Sequence, residues 1–312
     1  MFRRSLLLTA LATPALAHME RPLRIIVPFA AGTSSDVQAR LLALHMSPLL
    51  GQPVLVENRA GAGGAVGAEV VARATDGQTI LLGSNGPLVN NPVLQPRLPY
   101  DSPGDFTPIG MVSRSPLTLT VRSESPIRGV AQFVATPGLT IGSSGQGSAT
   151  HFLIEQLMAG ANIRLTHVPY RGSSLSVPDV LAGNVASVMA EISSVFPLWR
   201  DGRLRVLATT GPRRSILMPD VPTLIEAGFP GLTGGSWAAL VAPSTMPSAN
   251  VTTIATALLR VMETPAYLDR QRELGADVAT PEERGPAALA AFWRADLART
   301  RATAQAANIR AE

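Results

Sequence analysis

The chain has 312 residues, 46% hydrophobic and 15% charged, enough to build two domains or one large one around a substantial core. It has no cysteine, and all 26 of its basic residues are arginine, which excludes thiolate nucleophiles, disulfides, Cys-ligated zinc, Walker A loops, Schiff-base lysines and Ser–Lys hydrolases. A formal charge of only +4, with no basic run, excludes a nucleic-acid stripe.

Residues 1–17 read as a signal peptide. Arg3 and Arg4 form a basic start, Ser5 to Leu16 an apolar segment, and Ala15-Leu16-Ala17 a small-x-small cleavage pattern. An exported protein is therefore expected, with a mature chain from about His18, exported by the general secretory route or, given the paired arginines, by the twin-arginine route. No other apolar stretch is long enough to span a bilayer.

Ile25-Ile26-Val27 is a β-branched run of the kind buried on both faces of a sheet. A polar turn, Ala30 to Ser34, follows. Ser35 and Gln38 stand three apart, as in a capping box, before an apolar-periodic helix through Val37, Leu41 and Leu44. Strand, polar loop and helix start together aim free N–H groups at an anion. A second strand, Val54 to Arg59, runs into a glycine-rich helix start, Gly61 to Ala68. The third glycine of a dinucleotide fingerprint falls on Val66, so these glycines read as close-packing positions. A third strand, Ile80 to Leu82, ends in Gly83-Ser84-Asn85-Gly86-Pro87, a polar turn at the end where open α/β sheets bind ligands. Pro92 to Pro108 reads as an extended surface connection, Ile109 to Arg122 as strands, and Ser123 to Ser125 as a first crossing between domains.

Thr140 to His151 repeats the opening logic: a strand, the loop Gly142-Ser143-Ser144-Gly145-Gln146-Gly147, and a helix capped by Ser148. His151, in the first helical turn, reads as a packed structural histidine. Next come the strand end and turn His167 to Gly172, a helix from Ser176 to Leu181 stopped by Gly183, and the strand Val185 to Glu191. Gly202 to Thr210 is another strand, Leu224 to Ala227 a short helix, and Trp237 to Pro243 the strand that returns to the first lobe. Amphipathic helices Ser248 to Met262 and Ala287 to Ala306 close the chain. Two anion-competent loops, one in each half, imply a cleft between lobes 18–123 with 236–312 and 124–235.

Seven ordered blocks then carry a resemblance over essentially the whole mature chain. They are Val27-Pro28-Phe29 through Asp36-x-x-Ala39-Arg40, Val56-Glu57-Asn58-Arg59-x-Gly61-Ala62-Gly63-Gly64 and Leu98-Pro99-Tyr100-Asp101. Gly142-Ser143-Ser144-Gly145-x-Gly147-Ser148, His167-Val168-Pro169-Tyr170-Arg171-Gly172, Gly202-Arg203-Leu204-Arg205 and Asp220-Val221-Pro222-Thr223-x-x-Glu226-Ala227-Gly228 complete them. The chain resembles the periplasmic receptors of tripartite tricarboxylate transporters, the Bug receptors. The resemblance implies an α/β type II periplasmic-binding-protein fold, a small carboxylate in the interlobe cleft, transporter membrane subunits as partners, and no catalysis. The chain departs from the family in carrying Ala31-Gly32-Thr33 for Pro-Gly-Gly and Ala190-Glu191 for Phe-Asp.

The expected ligand-contacting set is Phe29, Ala31, Gly32, Thr33, Ser34, Ser84, Asn85, Ser143, Ser144, Gly145, Ser148, Tyr170, Gly172 and Glu191. Within it, backbone N–H groups of Ala31 to Ser34 and Ser143 to Gly145, with the Thr33 and Ser148 hydroxyls, would hold the carboxylate. No catalytic residue, metal ligand, cofactor or nucleic acid is expected, and a monomer is. Glu191 has three readings: an ion pair with Arg171, an acceptor for a ligand hydroxyl or ammonium, or a side chain facing away. The second would select hydroxy or amino acids. The alternative to a receptor is an exported α/β hydrolase using a serine near Ser144 with His151, although no G-x-S-x-G elbow is present.

Overall fold

The computed structural model describes residues 21–95, 97–170, 172–273, 276–306 and 308–309; the expected leader, 1–17, lies outside them. The first half runs β1 (Leu23–Val27), α1 (Ser34–Leu50), β2 (Val54–Asn58), α2 (Ala65–Ala72), β3 (Thr79–Ser84), α3 (Asn91–Leu94) and the long β4 (Phe106–Arg122). There follow α4 (Val130–Ala135), β5 (Thr140–Ser143), α5 (Ala149–Ala161), β6 (Thr166–Pro169), α6 (Ser173–Ala182), β7 (Ser187–Glu191), α7 (Ile192–Arg200) and β8 (Leu204–Thr209). The chain returns through β9 (Gly235–Pro243), α8 (Ser248–Val261), α9 (Pro265–Glu273), β10 (Asp277–Val278) and α10 (Pro286–Ala306). Among the described residues no helix is long and apolar enough to cross a membrane.

The strands form one continuous path, β2-β1-β3-β9-β4-β7-β5-β6, with β8 and β10 also on β4. β1 pairs in parallel with β2 and β3, which is why Ile25, Ile26 and Val27 are fully buried, each contributing about 1.5–3 kcal/mol. β4 is shared by both halves: Phe106 to Pro116 pair with β9, and Leu117 to Arg122 pair with β7 and β8. Its change of partner thus falls at Pro116/Leu117, ahead of Ser123 to Ser125. The second crossing is bound to the first by Thr210, whose hydroxyl accepts from Leu117 N at 2.8 Å and donates to Gly234 O at 2.7 Å. The packing divides the same way. One core runs from Leu23 to Val112 and Trp237 to Leu297, two others lie within Leu117 to Leu232, and a small fourth cluster, Phe152 with Ala304 and Ile309, joins the halves.

Several local expectations need correction. The Pro92 to Pro108 connection is helical at its start, because a single π turn, Gly86–Asn90, feeds α3 and Pro92 sits in its first turn, where a missing N–H costs nothing. Leu224 to Ala227 is a turn rather than a helix, closed by Thr223 N donating to Glu226 Oε2 at 2.8 Å and Glu226 N to Thr223 Oγ1 at 3.1 Å. A third helix, α9, stands between the two C-terminal ones. The glycine-rich segment behaves as read: a Cβ on Gly67 would lie 2.8 Å from Pro28 Cα, so only glycine lets α2 approach β1 this closely.

Candidate ligand-binding site

The expected site residues lie in two groups, each at the C-terminal ends of parallel strands. In the first, β1 leads through Phe29 to Thr33, the N-cap of α1. The Thr33 hydroxyl accepts from Asp36 N at 3.4 Å and donates to Ala30 O at 2.8 Å. The cap is therefore Thr33 with Asp36, not Ser35 with Gln38. Gln38 is buried, and its Oε1 accepts from Ser113 Oγ at 3.1 Å.

Asp36 is 3% exposed and its carboxylate accepts from Gly32 N (2.9 Å), Asn58 Nδ2 (3.0 Å) and Arg40 Nε (3.0 Å). Burial works to raise its pKa, but the bonds from Arg40, Gly32 and Asn58 outweigh it and hold the group below the ordinary carboxylate range. The Asp-x-x-x-Arg and Glu-Asn-Arg blocks thus meet in one anchor that shapes the first loop. Ala31, Gly32 (φ +83°), Thr33 and Ser34 remain exposed on it. Phe29 is half-buried beside Gly86, where a Cβ would lie 3.9 Å from Phe29 Cζ. Ser84 ends β3 opposite Ala238, and Asn85 is a clamp: it donates to Gly235 O at 3.2 Å and accepts from Trp237 N at 3.0 Å.

In the second group, Ser148 caps α5, accepting from His151 N at 3.2 Å. Gly145 (φ +132°) admits no Cβ, which would meet Tyr170 O at 2.8 Å. Most of the loop N–H groups are spent internally. Ser144 N donates to Thr150 Oγ1 (2.8 Å), Gly145 N to Ser143 Oγ (3.1 Å), Gly147 N to His151 Nδ1 (3.0 Å) and Ser148 N to Gly145 O (3.1 Å). In the first loop, Gly32 N is likewise taken by Asp36, and Thr33 N reaches Ala30 O at 3.4 Å. Donors of these loops and helix starts without a partner among the described residues include Ala31 N, Gln146 N and the first-turn N–H groups of Ser34 and Ser35 in α1 and Ala149 and Thr150 in α5.

Around this loop, Tyr170 N donates to Ser143 O at 3.2 Å and its hydroxyl donates to Asp179 Oδ2 at 2.7 Å. Burial, then Asp179, push the phenol up to about 12, so it stays neutral. Gly172 (φ +128°) is the N-cap of α6, and Glu191 closes β7. Glu191 accepts from Ser173 Oγ through Oε2 and from Ser144 Oγ through Oε1 at 3.3 Å. Its alternative partner, Arg171, lies outside the described residues. Asn90 joins the two groups, donating through Nδ2 to Gly147 O at 2.6 Å.

Sequence reasoning missed Ser173, Thr150 and His167. Gly172-Ser173 directly after a strand end repeats the glycine-then-hydroxyl signature of the other loops, and would have identified Ser173. The Ser144 and His151 pair required by a hydrolase does not form. Ser144 faces Glu191 and Ser173, while the His151 ring meets Gly147 N, Glu155 and His167. Ser143 does reach His167 Nε2, at 2.6 Å, but is fully buried. Among the described residues no group of three His, Cys, Asp or Glu could hold a metal.

Residues 38–309 match the family model described as the tripartite tricarboxylate transporter family receptor. The chain belongs to that receptor family. Three solved structures share its architecture. The periplasmic binding protein BugD is 31% identical with a TM-score of 0.80, the match covering 94% of this chain and 99% of BugD. MatC from Rhodopseudomonas palustris, with bound malate, is 31% identical with a TM-score of 0.78, covering 90% of this chain and 98% of MatC. A second R. palustris protein, with adipate, is 30% identical with a TM-score of 0.82, covering 93% of this chain and 98% of its own. The receptor therefore has the two-lobed α/β fold of periplasmic binding proteins. It is a periplasmic Bug-type solute receptor and not an enzyme.

Proposed function

We propose that this receptor captures a small carboxylate between a lobe formed by the chain up to Pro116 with the chain from Gly235 onward and a lobe formed by 117–234, and delivers it to the membrane subunits of a tripartite tricarboxylate transporter. The observation that carries the reading is the matched pair of helix starts. α1 and α5 each follow the C-terminal end of a parallel strand, and each leaves two first-turn N–H groups without a partner among the described residues. A carboxylate satisfies such donors by charge-assisted bonds without a Lys or Arg, and neither loop carries one.

Ser148 adds a hydroxyl donor. Thr150 is fully buried, so its O–H needs an acceptor, and Ser148 Oγ lies 2.7 Å away. With Thr150 donating, the Ser148 proton is free to turn to a ligand. Relatives that hold malate and adipate support a diacid. Removal of residues 1–17 on export, and action as a monomer, belong to the same proposal.

A thermal-shift screen of organic acids tests it, with a generic ester as control. A ligand at about 100 times its dissociation constant should stabilise the fold by ~2.7 kcal/mol. Stabilisation by no carboxylate, together with ester turnover abolished by Ser144→Ala, would favour the hydrolase instead.

A further inference from the structure

Glu191 puts an acceptor carboxylate where an anionic ligand would be repelled, and the residues around it explain how that position serves binding. Its two oxygens face the hydroxyls of Ser144 and Ser173, which also face each other across 2.8 Å. A serine hydroxyl has one proton and two lone pairs. With the Ser173 proton on Glu191 and the Ser144 proton on Glu191 or on Ser173 Oγ, the two serine oxygens offer only lone pairs to anything else. A carboxylate also has about four lone-pair sites, and two serines do not fill them. Glu191 and Ser144 are half-buried, so this acceptor surface is not sealed from the loop face.

Thr150 links this cluster to a region of opposite character: its Oγ1 accepts from Ser144 N at 2.8 Å and lies 2.7 Å from Ser148 Oγ, at the first turn of α5. Donors at one pole and acceptors at the other make a bipolar surface.

Resting on the carboxylate reading above, we infer that Glu191, with Ser144 and Ser173 as positioning residues, selects carboxylates that also bear a hydroxyl or ammonium donor. The donor pole takes a carboxylate; the acceptor pole takes the ligand's O–H or N–H. A plain diacid has nothing to give that pole and meets the negative charge of Glu191 there. An ammonium gains the charge of Glu191 as well as the hydrogen bond, whereas a hydroxyl gains the bond alone.

Three four-carbon diacids separate these cases by calorimetry on the full mature chain: succinate, malate with an added hydroxyl, and aspartate with an added ammonium. Malate or aspartate should bind at least about tenfold more tightly than succinate. Glu191→Gln, which removes the charge and puts an amide donor at the same place, should close that gap largely by improving succinate. Ser173→Ala should narrow it, and serves as the second variant should Glu191→Gln fold poorly by circular dichroism. Equal affinity for all three acids in the wild type, or an unchanged gap in both variants, would overturn the assignment. No binding of any of the three would overturn the assignment, and adipate titrated alongside tells the two failures apart: if it binds, the carboxylate reading stands without the selectivity.

Discussion

The imidazoles of His151 and His167 stack face to face, with centroids 4.2 Å apart and planes 8° from parallel. His151 Nδ1 accepts from Gly147 N, so its proton sits on Nε2, directed at Glu155 Oε1 3.3 Å away. His167 Nε2 lies 2.6 Å from Ser143 Oγ. The two rings thus hold both ends of the second loop.

The pH dependence follows. Burial, then the neighbouring His151, lower the His167 pKa from 6.5 to about 4, against an opposing pull from Glu155. Between those values the unfolded chain binds the proton and the folded chain does not. Stability should therefore fall as pH drops from about 6.5 towards 4, with no further loss from this group below that. Melting temperature across this range checks it, and His167→Gln should flatten the slope. An unchanged slope would mean that other groups set it.

The Asp36 anchor gives a second prediction. Asp36→Ala strands Gly32 N–H and the Asn58 amide and frees Arg40, and should cost about 2 kcal/mol. Because the anchor shapes the first loop, carboxylate affinity should fall along with stability. Urea denaturation and calorimetry on one preparation would read both. Full affinity in the variant would dissociate the anchor from the loop's function.

The fold was legible where one segment decides its own fate. The β-branched Ile25 to Val27 run, the Ser148 cap and the Gly183 stop are local signals, and each stands as read. The site was legible only to the level of loops. Which N–H groups are free depends on contacts far apart in the chain: Asp36 with Asn58, Gly147 with Asn90, Ser144 with Thr150 and Glu191. The first capping box was misplaced for a related reason. Thr33 and Ser35 are equally good caps in sequence, and the choice was made by Asp36, whose carboxylate is fixed by a strand 22 positions away at Asn58.

Asn90 supplies a third prediction. It is 3% exposed, and its amide bond to Gly147 O spans the two groups of loops. Asn90→Asp replaces that donor with a carboxylate facing a carbonyl, and should cost about 1–3 kcal/mol. Amide exchange should quicken in the Gly145 to Ser148 segment while staying unchanged in β1 to β3. Uniform quickening would indicate global destabilisation rather than release of the loop.

The most direct test of the receptor reading is isothermal titration of the mature protein with malate, aspartate, succinate and adipate, at fixed pH and salt. The account predicts saturable one-to-one binding of at least one of them, weakened about tenfold by Ser148→Ala through loss of a hydroxyl donor to a charged group. Heats indistinguishable from dilution for all four acids would contradict it.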